Sequence, residues 1–341
     1  MFAPEVLRRT QRCTTGCGVL DALLQGGVAV GHVTELVGES TAGKTLLCLQ
    51  LLLAAQLPLS AGGLAGRSLL VATEGPAPLA RLASLAAASF PSLSNPTHNV
   101  LVAQAGGGPD ALMAAVGQAL AIAGAPPPPG VPPVRLLVFD SIAAPFRDKD
   151  VTGGWGGASE SAARSAQLYR LAAALKAGAR RHGLAVVVTN HVVDAVVEGS
   201  GGSCGGGNGG GNGGGKGGGG GVFTALEQAC GGRHLLTSGR RVAPSLGLHW
   251  AHCVGTRLFL SRAMPATFPL PPGGVVARAL RVVFSPHLAA GEVGCVIDGA
   301  GMRGTDEARP QESGGDADAA GAAAANGGGG ALGLEMRGGY G

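Results

Sequence analysis

One eight-residue segment, GESTAGKT at residues 38 to 45, constrains the fold of this chain more than any other. It has the GxxxxGK[ST] spacing of a phosphate-binding loop. The run HVTELVG before it is apolar and β-branched, as expected of a strand, and Lys44 to Leu57 contains no helix breaker. Strand, loop and helix follow in the order that such a loop requires, so we predict that the segment binds phosphate.

The residues of this loop have separable chemical tasks. The two glycines let the backbone turn successive N–H groups toward an anion, and the following helix presents its positive end to the same place. Lys44 is expected to reach the β- and γ-phosphates, and the Thr45 hydroxyl to bind magnesium. A chance match has to be weighed in a chain with 63 glycines, but the flanking strand and helix argue against it. The predicted nucleotide-binding residues here are Gly38, Glu39, Ser40, Thr41, Ala42, Gly43, Lys44 and Thr45.

Bulk composition limits the class of protein. A net charge of +4, with arginines scattered or paired, neither establishes nor excludes a nucleic-acid partner. Seven cysteines without a CxxC pair predict a reducing, intracellular compartment. The N-terminus lacks the apolar core of a secretory signal, and the helix after the loop is shorter than the roughly 20 residues that span a bilayer.

Apolar strand-like runs alternate with helical patterns after the loop. The strand-like runs are nearly continuous in Val, Leu and Ala, which is typical of strands buried on both faces. We therefore predict an α/β fold with a mostly parallel central sheet flanked by helices and a short antiparallel extension. The predicted strands lie at 68 to 74, 99 to 105, 135 to 141, 184 to 192, 256 to 262, 279 to 287 and 294 to 301, and the helices at 78 to 89, 109 to 124 and 161 to 182.

Two segments are expected to lie outside this core. A Gly/Asn/Ser tract at 199 to 221 carries one charge, Lys216, and should be flexible. The Ala/Gly-rich tail at 305 to 341 is expected to be disordered. The expected organisation is an N-terminal lead at 1 to 12, a core at 13 to 304 and this tail.

Polar residues end three of the predicted strands. Asp140 follows four apolar residues, Leu136 to Phe139, at the edge where open α/β sheets bind ligands. It is predicted to hold magnesium together with Thr45, although a helix cap is the plainer alternative. Glu74 could orient or deprotonate an attacking water, or could be a solvated loop residue. Thr189, Asn190 and His191 could sense phosphate or simply end their strand.

Two weaker candidates lie elsewhere. His249, His252 and Cys253 are close enough in sequence to suggest zinc, but no ligand pair with the required spacing accompanies them. Trp155 could stack on a base, although a loop tryptophan more often covers a patch of core.

Several segments in order resemble one family, the eukaryotic strand-exchange recombinases of the RecA type. The likeness starts with TGCGVLDALLQGGVAVGHVTELVGESTAGKT and continues with VATEGPAPLARL, LLVFDSIAAPFR and AVVVTNHV. VAPSLGLHWAHCVGTRLFLSR and ALRVVFSPHL follow, and details such as DSIAAPFR and GMRGT are similar to one of the recombinase paralogues. The resemblance covers residues 13 to 305 apart from the Gly tract.

This resemblance implies a RecA-like P-loop ATPase core that binds ATP and Mg²⁺ between protomers and acts in homologous recombination and double-strand break repair. Implied partners are another recombinase paralogue as a heterodimer, the strand-exchange recombinase, and single-stranded or branched DNA, with no membrane. The nucleus is the implied location, with the cytoplasm as a second one. Glu74 becomes the water-positioning glutamate, catalytic together with Lys44, and Pro286 caps the adenine of the adjacent protomer's nucleotide. The implied DNA-loop residues are Arg147, Lys149, Trp155 and Lys216.

The chain departs from the family pattern in three respects. His191 stands where the family usually has a glutamine that senses the γ-phosphate, and the second DNA loop is nearly charge-free glycine. The chain starts just before the ATPase core, so the family's N-terminal helical domain is expected to be absent. These departures keep open the alternative to a weak DNA-dependent ATPase, a nucleotide-bound scaffold that does not hydrolyse. A small-molecule kinase is a third possibility, but it would need a lid of arginines that is not evident.

Overall fold

The computed structural model describes residues 11–147, 158–195, 235–262 and 277–309. In chain order its helices are α1 (Gly18–Leu23), α2 (Lys44–Ala54), α3 (Leu79–Ser89), α4 (Pro109–Gly124), α5 (Ala158–His182) and α6 (Gly247–Ala251). Its strands are β1 (Arg12–Cys13), β2 (Val28–Ala29), β3 (Val33–Gly38), β4 (Arg67–Ala72), β5 (Val100–Gln104), β6 (Val134–Asp140), β7 (Ala185–Asn190), β8 (Val192–Asp194), β9 (Leu235–Thr237), β10 (Arg240–Pro244), β11 (Thr256–Arg262), β12 (Arg278–Phe284), β13 (Gly291–Asp298) and β14 (Gly301–Arg309).

A nine-stranded sheet forms the centre of the fold, in the order β14-β13-β12-β11-β3-β7-β6-β4-β5. The six strands from β11 to β5 are mutually parallel, and β12, β13 and β14 add to β11 in antiparallel order. The predicted α/β class, the parallel sheet and its antiparallel extension are confirmed.

Both faces of the sheet are buried, as the continuous apolar runs predicted. Leu70 and Val138 face one core with the apolar side chains of α1, α2 and α3. Leu69 and Leu137 face a second core with those of α4, α5 and α6. Alternate residues of each strand thus enter opposite cores, and the strand ends are left to carry polar groups.

Some boundaries differ from the sequence prediction. Helix α2 ends at Ala54 rather than Leu57, because Pro58 follows and has no N–H to continue the helix. Strand β14 runs to Arg309, past the expected core boundary at 304, since it pairs along β13 from Asp298–Gly301 to Glu292–Arg309. A small antiparallel sheet, β8-β10-β9, was not predicted because its strands are only three to five residues long. The Gly tract and the rest of the tail lie outside the described residues.

None of the helices in the described ranges is long and apolar enough to cross a membrane.

Candidate nucleotide site

The GESTAGKT loop connects β3 to α2, so strand, loop and helix occur as predicted. Both motif glycines are constrained, Gly38 by the space beside a backbone carbonyl and Gly43 chiefly by its backbone conformation. A Cβ on Gly38 would lie 2.5 Å from the Leu260 carbonyl oxygen, and one on Gly43 would lie 2.6 Å from Met302 Cε. Gly43 also has φ +111°, a left-handed conformation that glycine adopts without strain. The loop is therefore packed against the sheet in one conformation, with the N-terminus of α2 behind it.

The Lys44 side chain crosses the mouth of this loop. Its Nζ donates to the carbonyl oxygens of Gly38 at 2.8 Å and Glu39 at 2.9 Å, and the residue is buried. Burial lowers the pKa of Lys44, while the negative charges of Asp140 and Glu74 act in the opposite direction. An ammonium group has three hydrogens, so Lys44 can hold the loop closed and donate to a phosphate oxygen as well.

A cluster of oxygen atoms lies beside the lysine. Asp140 ends β6, and its Oδ2 accepts a hydrogen bond from Thr45 Oγ1 at 2.6 Å. Its Oδ1 accepts from Thr189 Oγ1, from the end of β7, at 2.5 Å. A hydroxyl and a carboxylate in contact provide the hard oxygen ligands that Mg²⁺ selects, and Mg²⁺ completes its shell with water and substrate phosphates. The residues present fit that ion.

No group of three or more His, Cys, Asp or Glu side chains suited to a metal occurs in the described part of the chain. That result gives no support to zinc at His249, His252 and Cys253. Instead, Cys253 Sγ donates to the His249 carbonyl oxygen at 3.2 Å, and His249 Nδ1 lies 3.4 Å from the Tyr169 hydroxyl.

Glu74 lies at the same edge of the sheet, two residues after β4. Its Oε1 accepts from Arg147 at 2.6 Å and from Ser141 Oγ at 3.0 Å, and His191 Nε2 lies 2.7 Å away. These neighbours lower the pKa of Glu74 to about 2. The contact with His191 has the largest effect, and the hydrogen bond from Ser141 and the charge of Arg147 act in the same direction.

Glu74, Asp140 and Thr45 line one pocket of about 230 Å³, together with the turn from Gly75 to Pro78. A larger groove of about 480 Å³ lies between α4 and α5, but most of its walls are alanine and glycine. The smaller pocket is the candidate site, because the Thr45 hydroxyl and the carboxylates of Glu74 and Asp140 line it and Thr45 directly follows Lys44.

We predict that Glu74 titrates near pH 2 in the folded protein. Because its pKa is lowered from 4.5, the ionised carboxylate stabilises the fold above pH 4.5, and this contribution is lost as the pH falls through about 2. Carboxyl ¹³C chemical shifts, assigned with Glu74→Gln, measure the midpoint. His191→Ala should move the midpoint upward. A wild-type midpoint near 4.5 would show that the contacts with His191 and Arg147 do not form in solution.

The other predicted site residues are placed as follows. His191 and Arg147 both contact Glu74, so the structure brings a predicted sensor and a predicted DNA-loop residue to one carboxylate. Lys149, Trp155 and Lys216 lie outside the described residues. Pro286 follows β12 at the opposite edge of the sheet from the loop.

The distance of Pro286 from the loop follows from strand register. Phe284 pairs with Arg257, which in turn pairs with Glu35, three residues before the end of β3. The chain then continues away from the loop, and the His287 ring lies 5.2 Å from that of His32. His32 precedes Gly38 by six residues, or roughly 20 Å of strand. Pro286 is therefore too far away to contact a nucleotide in its own chain's loop.

A buried ionic network beneath the site was missed by the sequence analysis. Glu35 is fully buried in β3 and accepts from Arg257 Nε at 2.5 Å, Asn190 Nδ2 at 2.7 Å and Trp250 Nε1 at 3.0 Å. Arg257 also lies over the Phe284 ring, 5.0 Å from its centroid. A glutamate inside the apolar run HVTELVG was the available signal, because a buried carboxylate requires partners.

Comparison with known proteins gives consistent matches. Residues 8–215 match the Rad51 family. The chain is 35% identical over 316 residues to the DNA repair protein XRCC3 homolog of Arabidopsis thaliana, covering 84% of this chain and 91% of that protein. It is 34% identical over 304 residues to DNA repair protein XRCC3 of Bos taurus, covering 86% of this chain and 75% of that protein. DNA repair protein RAD51 of Saccharomyces cerevisiae is 36% identical to it over 185 residues, which cover 54% of this chain and 43% of that protein. The loop, Glu74 and Asp140 all lie within the matched family region.

Proposed function

The chain belongs to the Rad51 family, and on this premise we propose that it is an ATP- and Mg²⁺-binding recombinase paralogue of homologous recombination and DNA repair. The hydrogen bond between Thr45 Oγ1 and Asp140 Oδ2 carries the proposal, because it joins the two expected magnesium ligands next to Lys44. Relatives named XRCC3, aligned over most of this chain, support the paralogue branch.

The residues of the site would divide the work of binding nucleotide. The backbone N–H groups from Gly38 to Thr45 and the Lys44 ammonium bind the phosphates. Thr45 and Asp140 would hold Mg²⁺, which when bound neutralises phosphate charge. Glu74 positions water near the γ-phosphate and, with a pKa of about 2, orients that water better than it accepts its proton.

A second protomer would complete the site. Pro286, roughly 20 Å along the strand direction from its own loop, can serve only the nucleotide of a neighbouring molecule. The Ser285 hydroxyl, directly before Pro286, lies 2.9 Å from Thr256 Oγ1, and this hydrogen bond holds the backbone at Pro286 against the start of β11. We therefore propose that ATP lies between this chain and another recombinase paralogue, so that nucleotide controls assembly on single-stranded or branched DNA in the nucleus.

We expect ATP binding to depend on magnesium through Asp140. In Asp140→Asn the affinity for ATP with Mg²⁺ should fall by about 10- to 100-fold, the loss expected for a charge-assisted contact. Thr45→Val should act likewise and Thr45→Ser should not, because serine keeps the hydroxyl. Calorimetric titration with Mg²⁺ or with EDTA measures this effect.

The matched control is Asp298→Asn, a carboxylate at the end of β13 that pairs with Arg303. It should leave the magnesium dependence intact. Equal affinities with Mg²⁺ and with EDTA in the wild type would contradict the proposed metal role.

A nucleotide-bound scaffold without hydrolysis is the second candidate function. The contacts of Glu74 with Arg147 and His191 favour it, since a carboxylate that lies 2.6 Å from an Arg147 guanidinium nitrogen and 2.7 Å from His191 Nε2 is less free to direct water. Turnover separates the two candidates. If wild type and Lys44→Ala hydrolyse ATP at the same negligible rate while wild type still binds ATP, the scaffold is supported.

A further inference from the structure

We propose that Glu39 is a positioning residue that links the phosphate-binding loop to the β8-β10-β9 sheet, so that binding of ATP alters the stability of that sheet. This inference rests on the proposed nucleotide site. The loop motif GxxxxGK[ST] allows any side chain at position 39, so a role for the Glu39 side chain goes beyond the motif.

Glu39 contacts two parts of the molecule at once. Its backbone carbonyl accepts the hydrogen bond from Lys44 Nζ at 2.9 Å. Its side chain turns toward the β9–β10 hairpin, where Oε1 accepts from Thr237 Oγ1 at 2.6 Å and from Ser238 Oγ at 2.7 Å. Oε2 lies 3.2 Å from an Arg240 guanidinium nitrogen. A single residue therefore joins the phosphate-binding lysine to the hairpin turn.

The Glu39 carboxylate pairs with Arg240 although only 10% of the Glu39 side chain is exposed. Burial alone would raise the pKa of Glu39, but hydrogen bonds from Thr237, Ser238 and Arg240, with the charge of Arg262, lower it. A buried carboxylate that lost these donors would carry an uncompensated desolvation cost. Movement of the loop away from the hairpin is therefore opposed, and so is movement of the hairpin away from the loop.

The loop is held from the same side by a second contact. Thr41 has φ +64°, a left-handed conformation that costs a threonine roughly 1 to 3 kcal/mol unless its surroundings impose it. Arg278 of β12 donates to the Thr41 carbonyl oxygen at 3.2 Å. The loop conformation thus depends on neighbours, and Glu39 provides the contacts that reach the small sheet.

That sheet also reaches the Glu74 end of the site. Arg240 donates to Asp194 of β8 at 2.7 Å, and β8 begins directly after His191. The Ser245 N–H, just after β10, donates to the His191 carbonyl oxygen at 2.9 Å. The sheet therefore touches the site at two places, the loop through Glu39 and the water-positioning carboxylate through His191.

Hydrogen exchange measured by mass spectrometry, with ATP and Mg²⁺, tests the link in the full chain. In wild type, ATP should slow exchange both in residues 38 to 47 and in the hairpin at 235 to 244. In Glu39→Ala the hairpin response should fall by more than half, while the loop response persists. The double variant Thr237→Val, Ser238→Ala should do the same from the hairpin side. Because coupling is reciprocal, both variants should also weaken ATP binding by about fivefold or more.

Glu39→Gln keeps the acceptor oxygen and should restore part of the hairpin response, and Glu292→Gln on β13 is the matched control without effect. A hairpin that responds equally in wild type, Glu39→Ala and the double variant would overturn the link, as would a loop that responds in wild type while the hairpin does not. If the loop itself does not respond to ATP, the proposed function and this inference fail together.

Discussion

Replacing the loop lysine, Lys44→Ala, is expected to weaken ATP binding by about 100-fold. The ammonium is buried, and hydrogen bonds to charged groups contribute about 1.5 to 3 kcal/mol each, or roughly 10- to 150-fold in affinity. The change also removes the contacts from Nζ to the carbonyl oxygens of Gly38 and Glu39 that hold the loop. Calorimetry with ATP and Mg²⁺ measures the effect.

Lys176→Ala is the control for this change, because Lys176 lies on α5 and takes no part in the loop. Its affinity for ATP should equal that of wild type. If Lys44→Ala binds within about threefold of wild type, the lysine does not bind phosphate as proposed.

The second large effect concerns the buried network. Arg257→Met should lower the free energy of unfolding by about 3 to 5 kcal/mol, because it leaves the fully buried Glu35 carboxylate without its cation. Arg281→Met removes a partner of Glu292 in a pair that is 25% and 18% exposed, and should cost less than about 1 kcal/mol. Urea unfolding of both variants measures the difference.

The double variant Glu35→Met, Arg257→Met separates the cost of leaving a buried charge unpaired from the cost of changed side-chain packing. It should be more stable than Arg257→Met alone, since replacing both partners leaves no unpaired charge. The double variant should still be less stable than wild type, because Asn190 and Trp250 also donate to Glu35 and lose their acceptor. Equal costs for Arg257→Met and Arg281→Met would mean that the buried pair contributes no more than the partly exposed one.

Much of the central sheet could be predicted from sequence because its strands are buried on both faces. Continuous apolar runs such as LLVF at 136 to 139 can pack only in that way, and parallel strands place their carboxyl ends at one edge. Glu74, Asp140, Thr189 and His191 were expected together on that ground, and the structure brings them together. The order of strand, loop and helix around GESTAGKT could be predicted because it depends only on residues that are close in sequence.

Contacts between distant segments could not be predicted in this way. The donors to Glu35 are 155, 215 and 222 residues away in sequence, and those to Glu39 are 198, 199 and 201 residues away. The family resemblance implies that Arg147 belongs to a DNA loop, and its contact with Glu74, 73 residues away in sequence, was not predicted. Strand β14 was missed because GMRGTDEAR is polar, and it is a strand through its pairing with β13.

We propose above all that ATP bound at Lys44 controls the assembly of this protein with a second recombinase paralogue. Affinity purification from cells under DNA damage, with wild type and Lys44→Ala expressed at equal levels, tests it most directly. We predict that a recombinase paralogue is recovered with wild type and is lost with Lys44→Ala, while Lys176→Ala behaves as wild type. Equal recovery of that partner with wild type and Lys44→Ala would contradict the claim.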